Sequence, residues 1–395
     1  MHRLVLAEFR PFSKHYPGPF KFKSQIPRSF IPQISISRPL LSYQPITSTA
    51  VMSTMKALVM QGGTDAKVVE RSLPKPRSKF VGVKVNAVAL NPTDWKHIKG
   101  LNQEGLLVGC DFAGTVEKTG EGYNTKWSVG DRICGFVHGG NSLNKEDGAF
   151  AEHIMAGADL AFPIPNHWTD EQACTFPLGA LTCGQGLFQE LKLATPDKPA
   201  NSGEPILIYG GSTATGALGI QLLKLSGYKV ITTCSPRNFE YVKSLGADAA
   251  FDYNSADCAE QIKKAADGKL MYAWDCIALP DKSVPICADA LESGGHYASL
   301  LPLEKFPRDD VSNASTLLYS VYGEAVDKPF FKTKGKPEDY EFGVKFANIL
   351  RTLIKEDKIK VHKPKVMDGG IDGIMEGLSL LQNDKVSGEK LVYKL

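Results

Sequence analysis

The spacing of apolar positions changes about halfway along this chain. From Met55 to Ile164 they fall in short runs broken by turn residues. Their β-branched content predicts strands at Met55–Met60, Val81–Leu90, Arg132–Val137, Ala149–Met155 and Leu160–Ile164. The glycines around Gly109–Gly122 read as turns. The result is a β-rich, partly closed domain of roughly 130 residues, an ordinary domain size. After about Gly179, strand-like runs alternate with helical ones. The strands are Ile206–Tyr209, Lys229–Thr233, Ala249–Asp252, Met271–Cys276 and His296–Leu300, and helices are predicted at 214–226, 238–245, 256–266 and 281–292. Repeating strand–helix units of this length predict an α/β domain with a doubly wound parallel sheet covered on both faces. From about 325 the tail carries helical runs at 338–356 and 371–382 and a last strand, Lys390–Tyr393. That strand's chemistry would let it rejoin the first domain. The expected organisation is thus residues 1–54 as an extension, 55–180 as the β-rich domain, 181–325 as the parallel-sheet domain and 326–395 as a return to the first.

Residues 1–54 break both patterns. They hold seven prolines and eight serines with no sustained period, too little apolar surface to offset the entropy of ordering. Seven of their residues are Lys or Arg and one, Glu8, is acidic. The segment is therefore either a basic, Ser-rich organelle transit peptide or an extension upstream of a start at Met52 or Met55. The first alternative places the protein in mitochondria, the second in the cytoplasm. The whole chain has a formal net charge of +3, so residues 55–395 carry −3 once the +6 of the extension is removed. A mildly acidic body disfavours a nucleic-acid surface. No apolar run is long enough for a membrane span. Eight cysteines with no two closer than nine residues, Cys174 to Cys183, give no C-x-x-C pair and read as reduced, buried thiols.

The chemistry begins at Ile206–Gly227, ILIYGGSTATGALGIQLLKLSG: an apolar strand, a glycine loop and an apolar helix. A dinucleotide fingerprint has glycine at the first, third and sixth loop positions. Here Gly211 and Gly216 fill the outer places and Thr213 the middle one. The N–H groups that open the helix favour a pyrophosphate. Ser212, Thr213 and Thr215 are expected to add hydroxyl donors around Ala214. Without its context the loop reads equally well as an ordinary capped strand–helix turn. The next strand decides between cofactors. An NAD site would place Asp or Glu about twenty residues beyond the loop. This strand ends in Thr233-Cys234-Ser235-Pro236-Arg237-Asn238, and no acid appears before Glu240. Ser235 and Arg237 suit a 2′-phosphate, so NADPH is the expected cofactor.

Three pieces together carry a family resemblance: Asn91-Pro92-Thr93-Asp94-Trp95-Lys96, Val108-Gly109-Cys110-Asp111-Phe112-Ala113-Gly114, and the loop Gly210–Gly216 with Ser235–Asn238. From Met55 to Leu395 the chain resembles the medium-chain dehydrogenase/reductase superfamily. Within it, the chain is similar to fungal trans-acting enoyl reductases of polyketide synthesis. The resemblance implies a GroES-like catalytic domain beside a Rossmann domain, with the active site in the cleft between them. It implies cofactor contacts at Thr93, Asp94, Trp95, Lys96, Ser212–Thr215, Ser235–Asn238, Tyr253, Val386 and Ser387. It puts Lys96 and Thr182 beside the reacting carbons and the acyl carbonyl. It puts Cys183, Gly184, Gln185, Gly186, Leu187, Phe188, Gln189 and Glu190 along the substrate channel.

Zinc-dependent relatives use a Cys, a His-Glu pair and a four-Cys lobe. Here the corresponding places read Thr93-Asp94 and Cys110-Asp111, and the lobe is missing. Cys110 is then a core residue, Asp111 a structural hydrogen-bonder, and no metal is expected. The implied reaction is hydride addition to the β-carbon of an enoyl thioester, giving an enolate that is protonated at the α-carbon. Taken alone, Lys96 is a solvated lysine and Thr182 a helix-cap hydroxyl; the resemblance makes them catalytic. No side chain stands out as the proton donor. A quinone or small-enone reductase, a zinc alcohol dehydrogenase and a non-enzymatic NADPH-binding module remain as alternatives. The implied partners are a small or carrier-bound acyl substrate and a polyketide synthase acting in trans, with the protein itself a monomer.

Overall fold

The computed structural model describes residues 53–119, 125–200, 202–329 and 331–395. All but the last two residues of the expected extension, 1–54, lie outside them. Among the described residues no helix is long and apolar enough to cross a membrane.

The second half folds as its apolar period predicts. Six parallel strands lie in the order Ala249–Phe251, Lys229–Thr233, Pro205–Tyr209, Tyr272–Asp275, His296–Ser299, Ser312–Ser315. In chain order this is 3-2-1-4-5-6, the dinucleotide-binding arrangement, with its switch point beside the first strand. That strand, Pro205–Tyr209, is buried along its whole length. The helix after it, Ala214–Leu225, sinks Leu218, Ile220, Leu222 and Leu223 completely. Each such side chain contributes about 1.5–3 kcal/mol by leaving water. The sixth strand, Ser312–Ser315, was not expected. Its sequence SNAS is polar because it is an exposed edge.

The first half holds two sheets, antiparallel except where Pro364–Met367 runs parallel to Lys390–Lys394 in the larger. In the larger, Phe80–Ala89 pairs with Asp111–Thr119 on one side and with the C-terminal strand Lys390–Lys394 and then Pro364–Met367 on the other. Asp111–Thr119 pairs onward with Arg132–Phe136. Much of the stretch read as glycine turns is therefore a central strand. Gly114 lets it approach its neighbour: a Cβ there would stand 2.2 Å from the Lys84 carbonyl oxygen. Two other strands shift. The one expected at Ala149–Met155 runs His153–Gly157, and Leu160–Ile164 shrinks to Phe162–Pro163. A helix not predicted from the pattern, Pro92–Leu101, follows the first long strand. Its start was written in the sequence: Asn91 before Pro92, with an acid at Asp94. The small helix Pro177–Cys183 sits between the two halves, and its buried residues belong to the same core as Ile206, Leu218 and Phe346.

Candidate active site

The glycine loop is built by close approach. Gly210 has φ +86°, which turns the chain out of its strand. A Cβ on Gly211 would lie 2.1 Å from Thr232 Oγ1, and one on Gly216 would lie 2.3 Å from the Gly210 carbonyl oxygen. Thr213, at the middle place, has another task than the one expected. Its Oγ1 accepts from the Gly216 amide at 3.0 Å and donates to the Gly210 carbonyl at 2.8 Å. Thr213 is the helix N-cap, so its hydroxyl proton is already used and cannot serve a phosphate. The half-buried Ser212 and Thr215 keep hydroxyls with no protein partner among the described residues. The amides of Ala214 and Thr215 lie in the first turn, where no intrahelical acceptor exists.

At the end of the next strand Ser235 Oγ lies 3.1 Å from Tyr253 Oη, and Asn238 Nδ2 donates to Ser387 Oγ at 3.2 Å. The structure thus brings together four of the expected positions from three parts of the chain. Val386 is half-buried beside Ser387, and Pro236 is exposed. Arg237 is exposed, with no ion pair among the described residues. Lys282 was missed. Its Nζ stands 4.6 Å from the centre of the Tyr253 ring, brought there by the loop after Tyr272–Asp275.

The motif Asn91–Lys96 is half structural. Asp94 is fully buried, and its Oδ2 accepts the Asn91 amide at 2.7 Å. Its side chain therefore holds the start of helix Pro92–Leu101 and does not reach a cofactor. Burial raises its carboxyl to about 7. Thr93 and Trp95 are half-buried and Lys96 is exposed. Even so, desolvation by the protein around it holds the Lys96 amine below its ordinary value. Asp111 is the anchor of the region. It takes Lys390 Nζ at 2.6 Å, Asn91 Nδ2 at 2.8 Å and the Leu178 amide at 2.8 Å. Three such donors leave it no role as a metal ligand. Among the described residues no three His, Cys, Asp or Glu side chains converge on a point, so zinc does not fit.

The stretch expected along the channel is mostly core. Cys183–Phe188 are all buried. Gly184 packs against Phe346 and Gly186 against Trp274, where Cβ atoms would come within 2.4 and 2.2 Å. Cys183 Sγ donates to the Thr215 carbonyl at 3.3 Å, tying this helix to the glycine loop. Gln185 Nε2 donates to Ser320 Oγ at 3.0 Å and Gln189 Nε2 to Asp339 at 2.7 Å, while each amide oxygen finds no partner among the described residues. Only Glu190 is exposed. Gly184–Glu190 forms a π-helical turn, a local widening of the helix. Thr182 is buried and donates to the Leu178 carbonyl at 2.7 Å, so it can accept a hydrogen bond but has no proton to offer an acyl oxygen.

A polar cluster that the sequence did not reveal lies against Thr93. Tyr319 Oη is 2.9 Å from Thr93 Oγ1 and 3.6 Å from Cys110 Sγ. Thr93 Oγ1 is 3.2 Å from His97 Nε2, which is 2.6 Å from Lys328 Nζ. His138 stacks on the Tyr319 ring with centroids 4.1 Å apart, and Lys328 stands 4.2 Å from the same ring centre. Burial is the main cause of every shift here. His97 and His138 fall well below the ordinary histidine value, Tyr319 rises, and Lys328 is lowered to about 7. No local signal could have found the cluster, because Tyr319 and Lys328 lie more than two hundred residues from Thr93 and His97.

A surface concavity of about 740 Å³ lies elsewhere. It is lined by Glu204, Lys229, Met271 and neighbours at the amino ends of the parallel strands. Nucleotides bind beyond the carboxyl ends, so it is not the cofactor site.

Comparison with known proteins agrees with this architecture. Residues 77–166 match the alcohol dehydrogenase GroES-like domain, and residues 214–300 match the family described as zinc-binding dehydrogenase. The chain is 43% identical over 361 residues to the trans-enoyl reductase resD of Aspergillus sclerotiorum, covering 86% of this chain and all of that one. It is 47% identical over 275 residues to the trans-enoyl reductase TOXD of Cochliobolus carbonum, covering 69% and 92%. Among solved structures, the CurK enoyl reductase superposes with a TM-score of 0.68 at 22% identity, over 86% of this chain and 98% of that one. The quinone oxidoreductase of Coxiella burnetii gives 0.65 at 24%, over 87% and 100%. These two show the shared fold.

Proposed function

The chain belongs to the trans-enoyl reductases of the medium-chain dehydrogenase/reductase superfamily, and on that premise we propose that it reduces an α,β-unsaturated thioester with NADPH, without zinc. The acyl chain is presented in trans by a polyketide synthase. The observation that carries the choice of cofactor is the end of strand Lys229–Thr233. There Arg237, with no ion pair among the described residues, stands two residues from the Ser235–Tyr253 hydroxyl pair, and the strand offers no acid to the ribose.

Gly211 and Gly216 let the loop fold tightly against Thr232 and Gly210, and the first-turn amides of Ala214 and Thr215, with the Ser212 and Thr215 hydroxyls beside them, receive the pyrophosphate. Arg237 supports the 2′-phosphate by charge-assisted hydrogen bonds. Tyr253 flanks the adenosine. Asn238 and Ser387 link this edge to the C-terminal segment. The nicotinamide ring, when bound, supplies the hydride. Lys96, on the exposed face of its helix, offsets the charge that develops on the acyl oxygen. Asp111, held by Lys390, fixes the starts of both helices that carry Lys96 and Thr182.

NADPH and NADH oxidation, each followed with a crotonyl thioester, a quinone and no acceptor, tests this reading. Thioester-dependent oxidation with NADPH preferred is the expected result, unchanged by chelators. A quinone-only activity, or one lost on chelation and restored by zinc, would overturn it.

A further inference from the structure

We propose that Tyr319 delivers the proton to the α-carbon of the substrate, and that Lys328, acting through His97 and Thr93, is the reservoir that recharges it. The proposal rests on the enoyl-reductase reading and supplies the acid which that reading lacks. The first observation is a continuous string of exchangeable groups: Tyr319 Oη, Thr93 Oγ1, His97 Nε2 and Lys328 Nζ, separated by 2.9, 3.2 and 2.6 Å. The backbone at Gly139 bonds the His97 ring, which leaves Nε2 as the atom facing both Thr93 and Lys328.

The second observation is position. Thr93 sits one helical turn before His97 and three residues before Lys96. Gln185 reaches Ser320, next to Tyr319, from the helical segment that Cys183 ties to the glycine loop. The phenol therefore lies where the cofactor loop and the Lys96 helix converge. The third observation is an anomaly. Lys328 is buried, yet among the described residues it pairs with no carboxylate. A purely structural filler would be apolar there, because a buried ammonium without a counter-ion is costly.

The groups facing the amine are all named. His97 and Asp94 come from helix Pro92–Leu101, Cys110 from the start of the central strand, His138 from the loop after Arg132–Phe136, and Tyr319 from its own side of the cleft. The amine, lowered to about 7, exchanges its proton at neutral pH. In the step, a Cα–H bond forms as the Tyr319 O–H bond breaks. The Gly139 carbonyl holds the proton of neutral His97 on Nδ1, so Nε2 first takes a proton from the Lys328 ammonium; that Nε2 proton then passes to Thr93 Oγ1 as the Thr93 hydroxyl gives its own to the phenolate, and His97 returns to its neutral form. Enolate and ammonium become neutral thioester and neutral amine, with no change of oxidation state. Solvent reprotonates Lys328 after product leaves. His97 and Thr93 are positioning residues, and Tyr319 touches substrate.

The test uses the full chain with NADPH and a crotonyl thioester. Because Lys328 must be protonated, wild-type kcat falls as pH rises through about 7. Tyr319→Phe should lower kcat about 100-fold with NADPH affinity unchanged. Lys328→Met should abolish the inflection, and Lys328→Arg, charged throughout, should move it out of the neutral range. NADPH binding followed by fluorescence shows that each variant folds. Independently of turnover, carbon-13 NMR of labelled lysine should show one resonance, missing from Lys328→Arg, that titrates near neutrality. Wild-type turnover by Tyr319→Phe, or a Lys328 resonance titrating at the ordinary lysine value, overturns the relay and leaves the enoyl-reductase reading standing. A wild-type protein that reduces no thioester overturns that reading, and the lysine titration then decides the state of Lys328 alone.

Discussion

The glycine-loop edge and the Thr93–Tyr319 region handle polar groups in opposite ways. At the glycine-loop edge, Arg237, the Ser212 and Thr215 hydroxyls and the first amides of Ala214–Leu225 have no protein partners among the described residues. In the Thr93–Tyr319 region buried polar groups hold one another, as in the Asp111–Lys390–Asn91 anchor and the Tyr319–Thr93–His97–Lys328 string. Open donors at little cost suit a ligand that arrives and leaves with each turnover. Buried pairs suit groups that must hold position and charge state without water. The difference teaches that the open donors are set by local sequence here, while the buried polar groups depend on contacts across the whole chain.

The contrast breaks most visibly at the anchor. Lys390→Met leaves the Asp111 carboxylate buried without its cation and should cost about 3–5 kcal/mol in denaturant unfolding. The double change with Asp111→Asn should recover much of that. A loss within the noise would mean that the anchor is no more committed than the nucleotide edge. Next comes Lys328. Its folded value, about 7, lies below that of the unfolded chain, so the unfolded state binds more protons between the two values. Stability relative to Lys328→Met should therefore be lowest below pH 7 and should rise as pH climbs toward the ordinary lysine value. The total change is of order a few kcal/mol. A pH-independent difference between the two proteins would show an amine that is not desolvated.

Legibility follows the same divide. The parallel sheet was readable because each strand there is an apolar run followed by a helix, and the glycine loop was readable because its spacing is local. Thr213 was misread because a hydroxyl on such a loop can face a phosphate or cap its own helix, and only the bonds to Gly210 and Gly216 decide. The strand Asp111–Thr119 was hidden by Gly114, whose absent side chain permits close packing rather than turning the chain. Cys183–Phe188 looked like a channel wall through family likeness, yet Phe346 and Trp274 fill the space beside its glycines. Tyr319, Lys328 and Lys282 carry no motif and acquire meaning from distant neighbours.

Two smaller effects sharpen the comparison on its open side. Arg237→Ala should raise the KM for NADPH about tenfold, the worth of one exposed charge-assisted bond, and leave that for NADH unchanged. An equal change in both would remove Arg237 from the 2′-phosphate. The smallest effect concerns Thr213. Replacing it with alanine removes the bonds to the Gly216 amide and the Gly210 carbonyl, 3.0 and 2.8 Å long. The cost should be about 1 kcal/mol of stability, restored by Thr213→Ser. Because its proton never faces a phosphate, NADPH affinity measured at saturating stability should change less than it does in Ser212→Ala or Thr215→Ala. If Thr213→Ala weakens NADPH more than either neighbour while leaving unfolding untouched, the hydroxyl binds the cofactor after all. The middle place of the loop would then belong with the open donors rather than with the groups already paired.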